Sequence, residues 1–172
     1  NGVADLLVGN STPSGRLVDT YCIDNTTAPS FVNIYGGEWS NSGDFGSKNG
    51  IPIMYDDHLD SNKYFNVYQE GIYVGYRYYD SHPEEIVYPF GHGLSYTNFH
   101  YSDIEVRRVD NNLEVSFNIT NTGNVKGAEV CQLYVGDPVS TVIRPQKELK
   151  AFDKISLDAG ETKQVTLTVE IK

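Results

Sequence analysis

The sequence predicts a mainly β fold: a sandwich of short antiparallel strands in its C-terminal half, preceded by a segment of mixed and less periodic character. Three observations predict it. Leu113, Val115, Phe117 and Ile119 occupy every second position, with Glu114, Ser116, Asn118 and Thr120 between them. Val165, Leu167, Val169 and Ile171 repeat that pattern against Gln164, Thr166, Thr168 and Glu170. A period of two is that of a strand buried on one face. Asn121-Thr122-Gly123-Asn124 and Asp158-Ala159-Gly160-Glu161 are turn clusters that punctuate the pattern. Finally, Tyr88–Thr97, reading YPFGHGLSYT, divides two stretches of different composition. Upstream of it Gly, Ser, Asn, Asp and Tyr dominate; downstream the chain alternates.

At the start, Val3, Leu6 and Leu7 fall at helical spacing beside Ala4 and Val8, which predicts the last turns of an amphipathic helix. Gly9 is placed as its C-cap, and Asn10–Gly15 is a turn cluster. Arg16-Leu17-Val18 resumes as a short strand, with Arg16 either solvated or paired to a carboxylate of the sheet edge. Asp19 to Asn66 has little periodicity and many glycines, an unusual length for a loop unless it is functional or extra to the core. Glu38 and Trp39, beside Gly36-Gly37, are the candidate substrate-binding residues, because an indole face stacks on a pyranose ring. A loop pinned by its own aromatics fits the same residues. Asp56-Asp57-His58 with Asp60 reads as a solvated acidic turn, since the spacing and glycine of a calcium loop are lacking. Gln69–Asp80 (QEGIYVGYRYYD) is rich in β-formers and reads as a strand with a bulge at Gly75, Arg77 being held by flanking tyrosines.

Tyr88–Thr97 reads as a hinge packed against two domains. Pro89 fixes one φ and biases Tyr88 to an extended shape. Gly91 and Gly93 admit backbone shapes closed to other residues, while Phe90, Leu94 and Tyr96 supply apolar surface. Strands are then expected at Phe99–Val109, Leu113–Thr120, Glu129–Val135, Lys147–Ile155 and from Val165 onward. Short strands separated by turns at intervals of about ten residues are the mark of an immunoglobulin or fibronectin type III-like sandwich, which needs about seven. Only five are legible, so the last strands are expected either to have been removed or to come from another chain.

Composition narrows the partners. The 172 residues carry 13 basic and 23 acidic side chains, a formal net charge of -10. Nucleic acid and anionic membrane both require a cationic face, so neither is expected. No apolar run approaches a membrane span. Thirteen tyrosines suit half-buried interfaces and sugar-facing surfaces alike. Cys22 and Cys131 make neither a disulfide framework nor a zinc spacing, and two free thiols are expected. The chain starts without Met, inside an apolar pattern, as a piece of something longer would. Asn10-Ser11-Thr12, Asn25-Thr26-Thr27 and Asn118-Ile119-Thr120 match the glycosylation sequon, which matters only in a eukaryotic secretory pathway.

Several motifs are familiar in combination. PSGRL at Pro13–Leu17, EGIYVGYRYYD at Glu70–Asp80 and YPFGHGLSYT at Tyr88–Thr97 resemble glycoside hydrolase family 3. So do NTGNVKGAEVCQLYV at Asn121–Val135, RPQKELKAF at Arg144–Phe152 and LDAGE at Leu157–Glu161, in that family's order. The resemblance implies a β-glucosidase or β-xylosidase built from a TIM-like barrel, an α/β sandwich and a fibronectin type III-like domain. It implies that residues 1–96 are the C-terminal portion of the α/β sandwich, with a long loop insertion, and that 97–172 are the fibronectin type III-like domain. The family's Asp nucleophile lies in the barrel and its Glu acid/base upstream of PSGRL. Neither motif occurs here, so no catalytic residue is carried over, and no metal or cofactor is implied. Arg16, Arg77, His92 and Arg144 become scaffold or interdomain contacts.

The expected function is therefore a non-catalytic scaffold part of a retaining β-glycosidase acting on β-linked glucosides and oligosaccharides. Its partners would be the remaining domains of the same enzyme and the carbohydrate substrate. A stand-alone carbohydrate-binding or adhesion module, using Trp39 and exposed tyrosines, is the alternative. A small glycosidase using Glu38 and Asp44 as its acid pair ranks last. Sugar specificity and localisation, bacterial cytoplasm or secretion, stay open at this point.

Overall fold

The computed structural model describes residues 2–30 and 70–171. Its chain forms two compact units, one of Thr20–Pro89 and one of Asn1–Asp19 with Phe90–Lys172.

In the first unit, strand β1 (Tyr21–Cys22) pairs antiparallel with β2 (Ile86–Tyr88), Tyr21 opposite Tyr88. Ile23 N–H extends the pairing by donating to Glu85 O at 2.8 Å. Asp24 caps the short 3-10 turn Asn25–Thr27, its carboxylate accepting from Thr26 N–H at 2.8 Å. The strand expected over Gln69–Asp80 is not formed in the described part of that stretch. Residues 70–72 turn, and Tyr76–Tyr79 make a single helical turn, α2. Gly71 and Gly75 have φ of +56° and +54°, which breaks any extended run. The tyrosines suggested β by propensity alone, a weak guide. In the helical turn Tyr79 is buried, and Tyr78 stacks on His82, four residues on, with centroids 4.2 Å apart. Arg77 lies over the Tyr76 ring at 6.0 Å, so the expected aromatic support for it is present.

In the second unit, α1 (Gly2–Leu7) is the expected helix, and Gly9 at φ +78° ends it. No residue of α1 is buried. Arg16–Val18 was expected as a strand and is not one. Leu17 instead makes two backbone bonds to the YPFGHGLSYT stretch: its N–H donates to His92 O and its carbonyl accepts from Gly91 N–H, both at 2.8 Å. The turn residues on either side leave no room for a longer ladder.

The rest of this unit is the sandwich. Strands β3 (Phe99–Val109), β4 (Asn112–Asn121) and β7 (Thr162–Glu170) form one antiparallel sheet in the order β3-β4-β7. Strands β5 (Gly127–Val135) and β6 (Glu148–Leu157) form the other. The five strands match the sequence-based expectation to within a few residues at each end. β4 is central, with Val115, Phe117 and Ile119 facing the interior and Ser116 opposite Thr166 on the outside. Cys131, Leu157, Val165 and Leu167 complete the buried cluster, packed by Phe99, Leu133, Ala151 and Ile155. Each large apolar side chain buried fully contributes about 1.5–3 kcal/mol, so this cluster is what holds the two sheets together. β3 is bulged between Ser102 and Glu105, where Asp103 takes φ +55°. Cys22 and Cys131 are both free thiols, as expected, the latter buried.

Candidate functional site

The described residues gather their unusual chemistry where residues 14–17, residues 90–97 and β5 meet. Arg16 reaches past the turn and pairs through Nη2 with the Glu129 carboxylate of β5, 113 residues away in sequence. Both side chains are mostly buried, at 11% and 17% exposure. Arg16 thus takes the paired alternative, with a strand of the sandwich. Glu129 shares its strand face with Cys131 and Leu133, so it is an acid at an interior position. A buried carboxylate without a cation is costly, and Arg16 supplies that cation.

The backbone closes tightly around this pair. A Cβ at Gly93 would lie 2.2 Å from Gly15 O and 2.7 Å from Arg16 Nη1. A Cβ at Gly91 would lie 2.8 Å from the Gln132 amide. Glycine is therefore required at 93 by close approach of two backbones. Tyr96 OH donates to Leu6 O at 3.0 Å and ties the same stretch to the end of α1.

Asn121 fixes the far end. Its Nδ2 donates to Val125 O at 2.8 Å and Leu157 O at 3.2 Å. Its Oδ1 accepts from Gly123 N–H at 3.1 Å and from the Thr97 hydroxyl. One fully buried amide thereby joins the last residue of the YPFGHGLSYT stretch to the β4–β5 turn and the end of β6.

Next to the ion pair, Tyr101 OH donates to Cys131 Sγ at 3.6 Å. Burial, and then this contact, push the Tyr101 phenol well above its ordinary range. Burial likewise pushes the Cys131 thiol up. Both groups are held neutral, which suits structural roles rather than nucleophilic ones. In the other unit, burial pushes Tyr79 up to about 12.

Glu38 and Trp39 lie outside the described residues, as do Asp44 and the Asp56–Asp60 cluster. Arg144 pairs with Glu148 at 3.6 Å and with Asp137 at 4.0 Å on the β5–β6 connection. Sequence reasoning missed Glu129 and Asn121. Both carried a signal: each is polar at a position whose strand parity is apolar.

The five-stranded arrangement is that of a fibronectin type III-like sandwich, and a family profile for the fibronectin type III-like domain matches residues 129–172. Thermostable beta-glucosidase B of Acetivibrio thermocellus is 41% identical over 98% of this chain and 20% of its own length. Probable beta-glucosidase K of Emericella nidulans is 40% identical over 97% and 17%. Beta-glucosidase 3B from Thermotoga neapolitana, solved with glucose, superposes with TM-score 0.75 and 38% identity over 98% of this chain and 21% of its own. The GH3 beta-glucosidase of Bifidobacterium adolescentis gives 0.77 and 34% over 98% and 21%. The chain belongs to glycoside hydrolase family 3, in the portion that carries this sandwich. It spans about a fifth of the length of the curated relatives it matches.

Proposed function

We propose that this chain is a non-catalytic brace within a retaining β-glycosidase, most simply a β-glucosidase acting on β-linked glucosides. Residues 1–96 would be the C-terminal portion of the α/β sandwich domain and 97–172 the fibronectin type III-like domain. The partners would be the remaining domains, which carry the nucleophile and the acid/base. Two carboxylates that form and hydrolyse a glycosyl-enzyme work at a separation of about 5–5.5 Å, and a displacement of about 1 Å can cost about a hundredfold in rate. A brace serves such a reaction by holding domains in register.

The observation that carries this reading is the buried Arg16–Glu129 pair, which locks residues 14–17 onto the sandwich. The test has two parts. A double-mutant cycle on the whole chain with Arg16→Met and Glu129→Gln should give a coupling of about 1–3 kcal/mol in urea unfolding. The purified chain should not hydrolyse an aryl β-glucoside. Additive effects in the cycle would remove the lock. Turnover abolished by changing one of the chain's own carboxylates would remove the non-catalytic assignment. Saturable β-glucan binding lost in Trp39→Ala would favour the carbohydrate-binding alternative.

A further inference from the structure

A cavity of about 390 Å³ opens where the turn after α1 lies beside the start of β5. Residues 10–12 and 14 form one wall, and residues 125–128 with Ser156 of β6 form the other. Both walls belong to the same compact unit, and each is fixed from behind. Asp5 O accepts from Asn10 N–H at 2.8 Å and from Ser11 N–H at 3.2 Å, which sets the turn against the end of α1. Asn121 Nδ2 holds Val125 O at 2.8 Å, and Ala128 stands opposite Ser156 in the β5–β6 pairing. Walls already ordered in this way spare a ligand the cost of ordering them.

The lining has a particular chemistry. The side chains of Asn10, Ser11, Thr12, Ser14 and Ser156 have no hydrogen-bond partner among the described residues. Four are hydroxyls and one is an amide, and each can both donate and accept. The cations nearby are already answered. Lys126 Nζ lies 2.9 Å from the Asp158 carboxylate. Lys163 Nζ donates to Ser156 O at 2.7 Å and lies 3.3 Å from the Glu161 carboxylate. An anion would meet those two carboxylates as well as the ammonium groups, on a chain of net charge -10. A neutral ligand with several hydroxyls meets no such repulsion. Val125, 42% exposed, offers an apolar patch to the C–H face of a ring, and Gly9, Gly127 and Ala128 leave room for it. A volume of about 390 Å³ is at the small end for ligand pockets, which suits one ring.

We propose that this cavity binds one neutral sugar ring, free or at the end of a chain, through these hydroxyls and the Asn10 amide. The inference is independent of the brace, which uses Arg16 and Glu129, and of the carbohydrate-binding alternative, which uses Trp39.

The test is a titration of the isotope-labelled whole chain with D-glucose, D-xylose, cellobiose and, separately, inorganic phosphate, followed by two-dimensional NMR of the backbone amides. Saturable shifts are expected for at least one sugar at residues 10–14, 126–128 and 156, with a Kd of about 1–10 mM, as befits a small ligand in an open site. Cellobiose binding more weakly than glucose assigns a free sugar; cellobiose binding as tightly or more tightly assigns a chain end. Thr12→Val removes one hydroxyl at nearly constant shape and should weaken binding about threefold to tenfold. Ser156→Ala, at an exposed strand position, should do the same without touching either turn. Ala128→Leu fills the cavity and should weaken binding about tenfold or more. Lys126→Met should change it by less than about twofold, its charge being paired at the surface. Shifts that do not saturate by about 100 mM sugar, or that centre elsewhere, would overturn the proposal. So would phosphate binding more tightly than every sugar, unchanged affinity in both hydroxyl variants, or loss of the shifts in Trp39→Ala.

Discussion

Asn121→Ala should lower the stability of the chain by about 3–7 kcal/mol. The asparagine amide has two donors and two acceptor positions, and all four are used. Alanine removes them together. The bonds to Val125 O and Gly123 N–H are only part-buried, so water can replace the amide there. Those to Leu157 O and the Thr97 hydroxyl are buried, and their partners would be orphaned. Each orphan costs about 1–3 kcal/mol, and the small cavity adds about 1 kcal/mol. With an m-value of about 1–3 kcal/mol/M, the urea midpoint followed by circular dichroism should fall by at least about 1 M. Asn121→Asp keeps the shape and the acceptors but loses both donors. Its carboxyl would face two carbonyl oxygens, so its folded-state pKa would be raised. That variant should therefore be weakest near neutrality and recover relative to wild type as pH falls. An alanine midpoint within about 0.3 M of wild type would refute the reasoning.

Two further outcomes follow from the same region. Gly93→Ala should destabilise by about 1–3 kcal/mol, because Gly15 O must move, whereas Gly15→Ala has open space and should cost less in the same urea titration. Tyr101 has a folded-state pKa raised above its ordinary 10.0, chiefly by burial. Its stabilising effect is complete below pH 10 and is lost as pH rises further, when only the unfolded chain ionises. Tyr101→Phe should thus flatten the alkaline fall in stability by less than the one-proton limit of about 1.4 kcal/mol per pH unit, since Tyr101 is 45% exposed. Identical alkaline slopes for the two proteins would contradict this.

The sandwich was legible because one-face burial writes a period of two into β4 and β7, and turn residues mark where each strand stops. The stretch around Tyr76–Tyr79 was not, because tyrosine favours strands by propensity while the glycines at 71 and 75 impose turns that depend on φ. Arg16 was recognisable as a candidate for pairing, but its partner was not. Glu129 lies on another element, and only the packing of β5 shows that its carboxylate faces inward. Asn121 looked like part of a turn, yet it ends β4 on the buried side and acts as a knot. Sequence periodicity reports which face is apolar; it does not report which polar residue on that face has been enclosed.

The Arg16–Glu129 contact also sets a schedule for biosynthesis. At about 5–20 residues per second, a ribosome needs roughly 6–23 s to make the 113 residues that separate the two partners. Throughout that interval Glu129 does not yet exist, and residues 14–17 cannot dock through it. Docking of residues 14–17 on β5 is therefore among the later events in assembling this unit, after the hairpin-like pairing of β3 with β4, whose residues are all made before Glu129.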